Sequence, residues 1–214
     1  LSPGIEPFDP SVKDEYGYGK FENVVTSMDF ERLLCATGPF EGEILRPSDK
    51  KHPHKIAWIQ CVGSRSLHEG AASYCSSACC MFALKEAIVT KERFQDTIET
   101  AIFYMDMRTF GKDYELYLNR AKDDYGIRLV GSRPHSVLYD PETASLSITY
   151  TPHDSNTNIS EDFDMVVLST GFKISQDVQD LAMKLGVELN EHHFAKTSGF
   201  SPVATSKPGI YACG

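Results

Sequence analysis

"KIAWIQCVG" (Lys55–Gly63) and "CSSACCMFALKEAIVTKERF" (Cys75–Phe94) decide how the chain is read. The first is a continuous apolar run, the mark of a strand covered on both faces in a parallel sheet. The second keeps helical spacing at Cys80, Ala83, Leu84, Ala87 and Ile88, with the helix opening near Ser76. Further strands follow in "TIETAIFYMDMRTF" and "IRLVGS", with a helix between them in "GKDYELYLNRAKDDYG", closed by Gly126. The order β-α-β-α-β is the repeating unit of a doubly wound sheet.

Outward from this unit the organisation continues. "FENVVTSMDFERLLC" mixes a short strand with a helix start, Ser27 serving as N-cap. "ATGPFEGEILRPSDKKHPH" is a polar linker. After the unit come two antiparallel strands, "HSVLYD" and "SLSITYT", then the buried strand "DMVVLSTGF", the helix "SQDVQDLAMKLG" and a last strand in "GIYACG". This is the layout of the pyridine-nucleotide domain of a two-dinucleotide flavoprotein, inserted into a flavin domain. Residues 1–50 are expected to be lead-in and linker from the flavin domain, 51–170 the Rossmann-like insert, and 171–214 part of the flavin domain. A start without methionine and the closing "GIYACG" read as a piece of a longer protein.

The 214 residues carry 21 Lys plus Arg against 30 Asp plus Glu, a net charge of −9. That balance speaks against a nucleic-acid groove, which needs a basic stripe. No apolar run approaches the roughly 18 residues of a membrane span, and no signal peptide is visible. The six cysteines are too clustered for the disulfide framework of a small secreted domain. They fit a reducing, cytoplasmic setting, where a cysteine cluster reads as metal or redox chemistry.

Where a dinucleotide-binding unit carries G-x-G-x-x-G, this chain has "CVGSRSLHEGAASYC", so pyridine nucleotide is not expected to bind in the usual way. Cys61 closes the first strand, and Cys75, Cys79 and Cys80 surround the start of the next helix. A helix N-terminus lowers thiol pKa and offers N–H donors to sulfur. Four thiolates gathered there suit an iron–sulfur cluster. Zinc remains open, although adjacent cysteines fit its paired knuckles poorly, and so does a plain buried role, above all for Cys80 on the apolar helix face. Cys35 and Cys213 read as structural, the histidines of "HPH" and "PHDSNTN" as solvated loops, and His192 and His193 as a surface hairpin.

"IAWIQCVGSR", "YCSSACCMFALKEA", "FYMDMRTFGK", "FENVVTSMDFERLL", "LRPSD" and "DMVVLSTGF" resemble the A subunit of heterodisulfide reductase and its relatives over nearly the whole chain. The resemblance implies a thioredoxin-reductase-like α/β flavoprotein core, Rossmann-like and three-layered. It implies a [4Fe-4S] cluster on Cys61, Cys75, Cys79 and Cys80, near FAD. It implies an oxidoreductase relaying electrons in (hetero)disulfide reduction, in methanogens coupled by flavin-based bifurcation to ferredoxin reduction. Its partners would be other heterodisulfide reductase-type subunits with ferredoxin, hydrogenase or similar redox proteins. A homodimer of the full-length form is left open. On the same ground Lys85 would face the flavin, Arg65 would bond cluster sulfur or a flavin phosphate, and Thr170, Gly171 and Gly214 would lie at the joints with the flavin domain. A solvated helix lysine and a plain strand-ending turn are the bland alternatives for Lys85 and for Thr170–Gly171. The chain departs from the family in lacking the flavin domain's G-x-G-x-x-G, the C-x2-C-x2-C-x3-C ferredoxin motifs, and an Asp after "GIYACG". A complete FAD site is therefore not expected. The competing functions are a zinc-stabilised structural module and a fragment of a pyridine-nucleotide-dependent disulfide reductase.

Overall fold

A computed structural model describes residues 2–68, 70–94 and 97–213. In chain order the elements are β1 (Glu6–Pro7), β2 (Val24–Thr26), α1 (Ser27–Leu34), β3 (Lys55–Val62), α2 (Cys79–Phe94), β4 (Glu99–Tyr104), α3 (Tyr114–Asp123) and β5 (Arg128–Gly131). Then follow β6 (Val137–Asp140), β7 (Ser145–Tyr150), β8 (Ile159–Phe163), β9 (Met165–Thr170), β10 (Phe172–Lys173) and α4 (Gln176–Leu185). Five strands form a parallel sheet in the order β2-β9-β3-β4-β5. β6, β7 and β8 make a separate antiparallel sheet, and β1 pairs antiparallel with β10.

Alternation along the central strands builds the layers. Ile56 and Trp58 of β3, Ile102 of β4, and Met165 and Val167 of β9 pack in one core with Phe30, Leu33 and Leu34 of α1 and Ala83, Leu84, Ala87 and Ile88 of α2. Their neighbours Ala57, Ile59, Ala101, Phe103, Val166 and Leu168 point the other way, onto Leu146 and Ile148 of β7 and Phe163 of β8. Both sheet faces are therefore apolar, which is why the strands read as continuous runs. The helices cover one face and the antiparallel sheet the other, so the arrangement is three-layered without helices on both sides. β2 and α1 lie in the same sheet and core as the strands from Lys55 onward. No helix among the described residues is long and apolar enough to cross a membrane.

Four local expectations change. The N-cap of α1 is Thr26, not Ser27: its hydroxyl accepts from Asp29 N–H at 3.1 Å while the Asp29 carboxylate accepts from Thr26 N–H at 2.9 Å. This is a capping box, and it satisfies two otherwise orphaned donors. α2 begins at Cys79, not near Ser76, because Ser77 takes a left-handed conformation (φ 62°) and the Ser76 hydroxyl accepts from Phe172 N–H at 2.8 Å. The hairpin has a third strand, β8, whose only buried side chain is Phe163. The closing strand in "GIYACG" does not form: a turn in which Ile210 N–H donates to Lys207 O leaves a single bridge between Ala204 and Tyr211 among the described residues.

Candidate functional site

The carboxyl ends of neighbouring parallel strands are where α/β sheets bind ligands, and the cysteines collect there. β3 loses its register against β9 between Ile59 and Val62, a bulge within which Cys61 is left-handed (φ 61°). A bulge adds one residue and re-aims a side chain. A non-glycine residue held left-handed costs roughly 1–2 kcal/mol. Beyond it, Gly63 is left-handed (φ 74°) and so close to the Phe8 ring that a Cβ would stand 2.1 Å from it. The loop then folds back on itself through Ala72 N–H to Gly63 O (2.9 Å), Ser66 N–H to Ala72 O (3.1 Å) and Arg65 N–H to Tyr74 O (3.1 Å). This return delivers Cys75 to the head of α2.

Cys61, Cys75, Cys79 and Cys80 line one small cavity with Arg65, Asp106 and Arg108. Cys61, Cys79 and Cys80 are buried and Cys75 is half-buried. Backbone N–H groups donate to two of the sulfurs, Ser77 to Cys75 at 3.3 Å and Arg108 to Cys80 at 3.4 Å. The Cys79 thiol donates to Thr170 O at 3.3 Å. Arg65 holds Asp106 with both terminal guanidinium nitrogens, and Arg108 also reaches Asp106. Burial pushes the Cys79 thiol up to about 12, with the neighbouring Cys61, Cys80 and Cys75 adding to it. Burial also raises Cys61, against the pull of Arg65 and Arg133, and raises Cys80, against the N–H of Arg108. As packed, these three thiols keep their protons, so a bound cation would have to displace them.

The donor set fits a thiolate-ligated cluster: four sulfurs, N–H groups aimed at sulfur and guanidinium groups nearby. The space is smaller than the group. The cavity measures about 10 Å³, near the minimum for one water. Among the described residues, no three His, Cys, Asp or Glu side chains are already arranged around a point where a metal ion would sit. Cys75 sits on the loop rather than on β3 or α2.

The other expected site residues fall in three places. Arg65 is at the cavity. Thr170 ends β9 and Gly171 follows it directly behind the cavity, where a Cβ on Gly171 would stand 2.7 Å from Ser64 Cβ. That close contact, rather than backbone freedom, demands glycine. Lys85 is exposed on α2, its ammonium 2.6 Å from both carboxylate oxygens of Glu31. It borders a groove of about 490 Å³ with Ser77, Met81, Phe82, Tyr114 and Tyr117. Gly214 lies outside the described residues. Sequence reasoning missed Asp106 and Arg108, which lie in the stretch "FYMDMRTFGK" without any ligand spacing, and it missed the buried acid Glu86.

No family model matches the chain. Curated relatives do. The chain is 42% identical over 213 residues to the iron–sulfur A subunit of the CoB–CoM heterodisulfide reductase of Methanocaldococcus jannaschii, covering 99% of this chain and 32% of that one. It is 40% identical to the A subunit of the H(2)/formate:CoB–CoM heterodisulfide,ferredoxin reductase of Methanococcus maripaludis, covering 99% and 32%. It thus spans about a third of the length of these relatives. Among solved structures it is similar to the thioredoxin reductases of Lactococcus lactis (TM-score 0.55, 16% identity) and T. acidophilum (TM-score 0.53, 15% identity), each covering all of this chain and 55% of the other. These establish a thioredoxin-reductase-like α/β fold. Along its whole length the chain is similar to one segment of the A subunits of heterodisulfide reductases.

Proposed function

We propose that the chain is an electron-transferring segment of a flavoprotein like the heterodisulfide reductase A subunit, an oxidoreductase of the cytoplasm. Cys61, Cys75, Cys79 and Cys80 hold a [4Fe-4S] cluster there. The observation that carries this reading is the convergence of four cysteines from β3, a loop and α2 on one cavity, with N–H donors and guanidinium groups around it. When bound, the cluster supplies one-electron chemistry beside FAD. The chain's own part is to gather four sulfurs, balance their charge with Arg65 and Arg108, and shut out water with the buried ends of β3 and β9. Residues 51–170 form the cluster-binding insert, whose sheet and core β2 and α1 join, and the rest of 1–50 with 171–214 belongs to the flavin domain. Lys85, Arg65, Thr170, Gly171 and Gly214 are the flavin-side residues. Lys85 is held by Glu31, and a cation at that place favours anionic reduced flavin. The reaction of the longer protein is reduction of a (hetero)disulfide. Its partners are further subunits of that kind and a ferredoxin or hydrogenase, as the relatives' names suggest.

Iron, labile-sulfide and zinc analysis of the chain after anaerobic purification tests the metal. Iron and sulfide in equal amounts are expected, with zinc at background. Stoichiometric zinc without sulfide would replace this reading with a structural zinc module.

A further inference from the structure

A buried acid joins the two elements that carry three of the four cysteines. Glu86 of α2 is fully buried. Its Oε2 accepts from the indole N–H of Trp58 on β3 at 2.7 Å, while Oε1 has no partner among the described residues. Trp58 is itself fully buried and stands edge-on to Phe30 of α1, ring centroids 5.4 Å apart. Thr90 Oγ1 donates to the Glu86 carbonyl at 2.8 Å. Measured from this contact, Cys79 is about 10 Å back along the helix. Cys61 is about 10 Å onward along the strand. The contact therefore fixes how the head of α2 meets the end of β3.

A carboxylate in this place would have one oxygen with no donor among the described residues. The neutral acid keeps the indole bond and leaves one O–H without an acceptor, a smaller cost than a buried charge. Burial accordingly pushes Glu86 up to about 8. Two charged groups modulate it: Glu31 of α1 disfavours ionisation and Lys85 of α2 favours it. β3 presents the uncharged indole. Tyr117 of α3, packed on the same core, interacts with Arg120, Glu92 and Tyr125 instead.

We propose that Glu86 is a pH-sensitive positioning residue for the cysteine site: as a neutral acid it seats α2 on β3 in the register that brings Cys79 and Cys80 to Cys61, and its ionisation loosens that seat. This rests on reading the cysteines as one site, but on no particular metal. Its sign follows from linkage. Between the ordinary glutamate value and about 8 the folded chain holds a proton that the unfolded chain has lost, so stability falls as pH rises through that window.

Trp58 is the chain's one tryptophan, so its emission reports the contact. In a pH titration of the chain, emission should change in a single transition near pH 8. The transition should be absent from Glu86→Gln, whose amide oxygen still accepts from the indole. Across the same transition, hydrogen-exchange protection of Met81–Leu84, corrected for intrinsic rate, should fall about tenfold in the wild type. It should stay level in Glu86→Gln. Should that variant fail to fold, the wild type labelled with carbon-13 glutamate decides by infrared spectroscopy. A carboxylic-acid carbonyl band at neutral pH that disappears above the transition supports the proposal, since surface glutamates are ionised throughout. Flat Trp58 emission, an equal transition in Glu86→Gln, unchanged protection in the wild type, or no acid band at neutral pH would each overturn it. A chain that takes up no iron would sink the cluster reading and leave these outcomes standing on their own.

Discussion

Cys79→Ser, prepared without oxygen, should carry iron and sulfide only at background. Of the four cysteines, Cys79 is the one whose thiol is bonded to the end of β9, through Thr170 O at 3.3 Å, and burial pushes it highest. A serine there offers a hard, protonated oxygen where iron needs a soft thiolate. Losing a residue that merely supports a ligand costs a metal site roughly 10–100-fold in affinity, so losing a ligand should cost more. Cys35→Ser is the matched control. Cys35 is exposed and its sulfur sits 3.2 Å from Thr37 Oγ1, away from the cavity. Its iron content should equal that of the wild type. Equal iron in the two variants would show that the cavity cysteines are not the ligands.

Trp58→Ala should have the largest effect on folding. It removes the largest fully buried side chain, opens a cavity against Phe30, and strips Glu86 of its donor. Truncation of a buried tryptophan costs about 3–5 kcal/mol. Leaving a buried polar group unpaired adds about 1–3 kcal/mol. A total of about 4–8 kcal/mol would be a large share of the usual stability of a domain. Urea unfolding followed by far-UV circular dichroism should show the midpoint collapse. Trp58→Phe keeps most of the volume and loses only the N–H, so its loss should be clearly smaller. Identical midpoints for the two variants would mean that the cavity is not what matters.

What could be read from the sequence follows from where burial is periodic. β3, β4 and β9 are buried on both faces, so each shows an unbroken apolar run, and α2 shows its stripe from Cys80 to Ile88. β8 escaped because "ISEDF" offers just one buried side chain, Phe163, to the sheet; the strand is held by its pairing with β7. "GIYACG" looks like a strand by composition, yet the preceding Pro208-Gly209 turn sends it elsewhere. Ser27 and Thr26 are both competent caps. Only pairing of Thr26 with Leu168 of β9 sets the last extended residue, and no local pattern reports it.

The site was legible as a cysteine spacing and not as a shape. Nothing in "WIQCVG" announces the bulge that turns Cys61, since the left-handed residue is a cysteine rather than a glycine or asparagine. Asp106 and Arg108 reach the cavity from the far end of β4, a parallel neighbour of β3, through tertiary structure alone. Glu86 hides in "ALKEA", where Lys85 and Glu86 look like one charged surface pair. In the structure the first is exposed and the second has none of its surface exposed. One signal was there to be used. A tryptophan in the middle of a buried strand must donate its N–H somewhere, and the facing helix offers a single acid among its buried positions.

The central claim is that Cys61, Cys75, Cys79 and Cys80 hold a redox-active iron–sulfur cluster. Low-temperature electron paramagnetic resonance of the chain, reconstituted with iron and sulfide and reduced with dithionite, tests it most directly. A signal from a reduced cluster is predicted for the wild type, lost when all four residues are serine. A signal that survives the fourfold replacement, or a silent wild type that binds zinc instead, would contradict it.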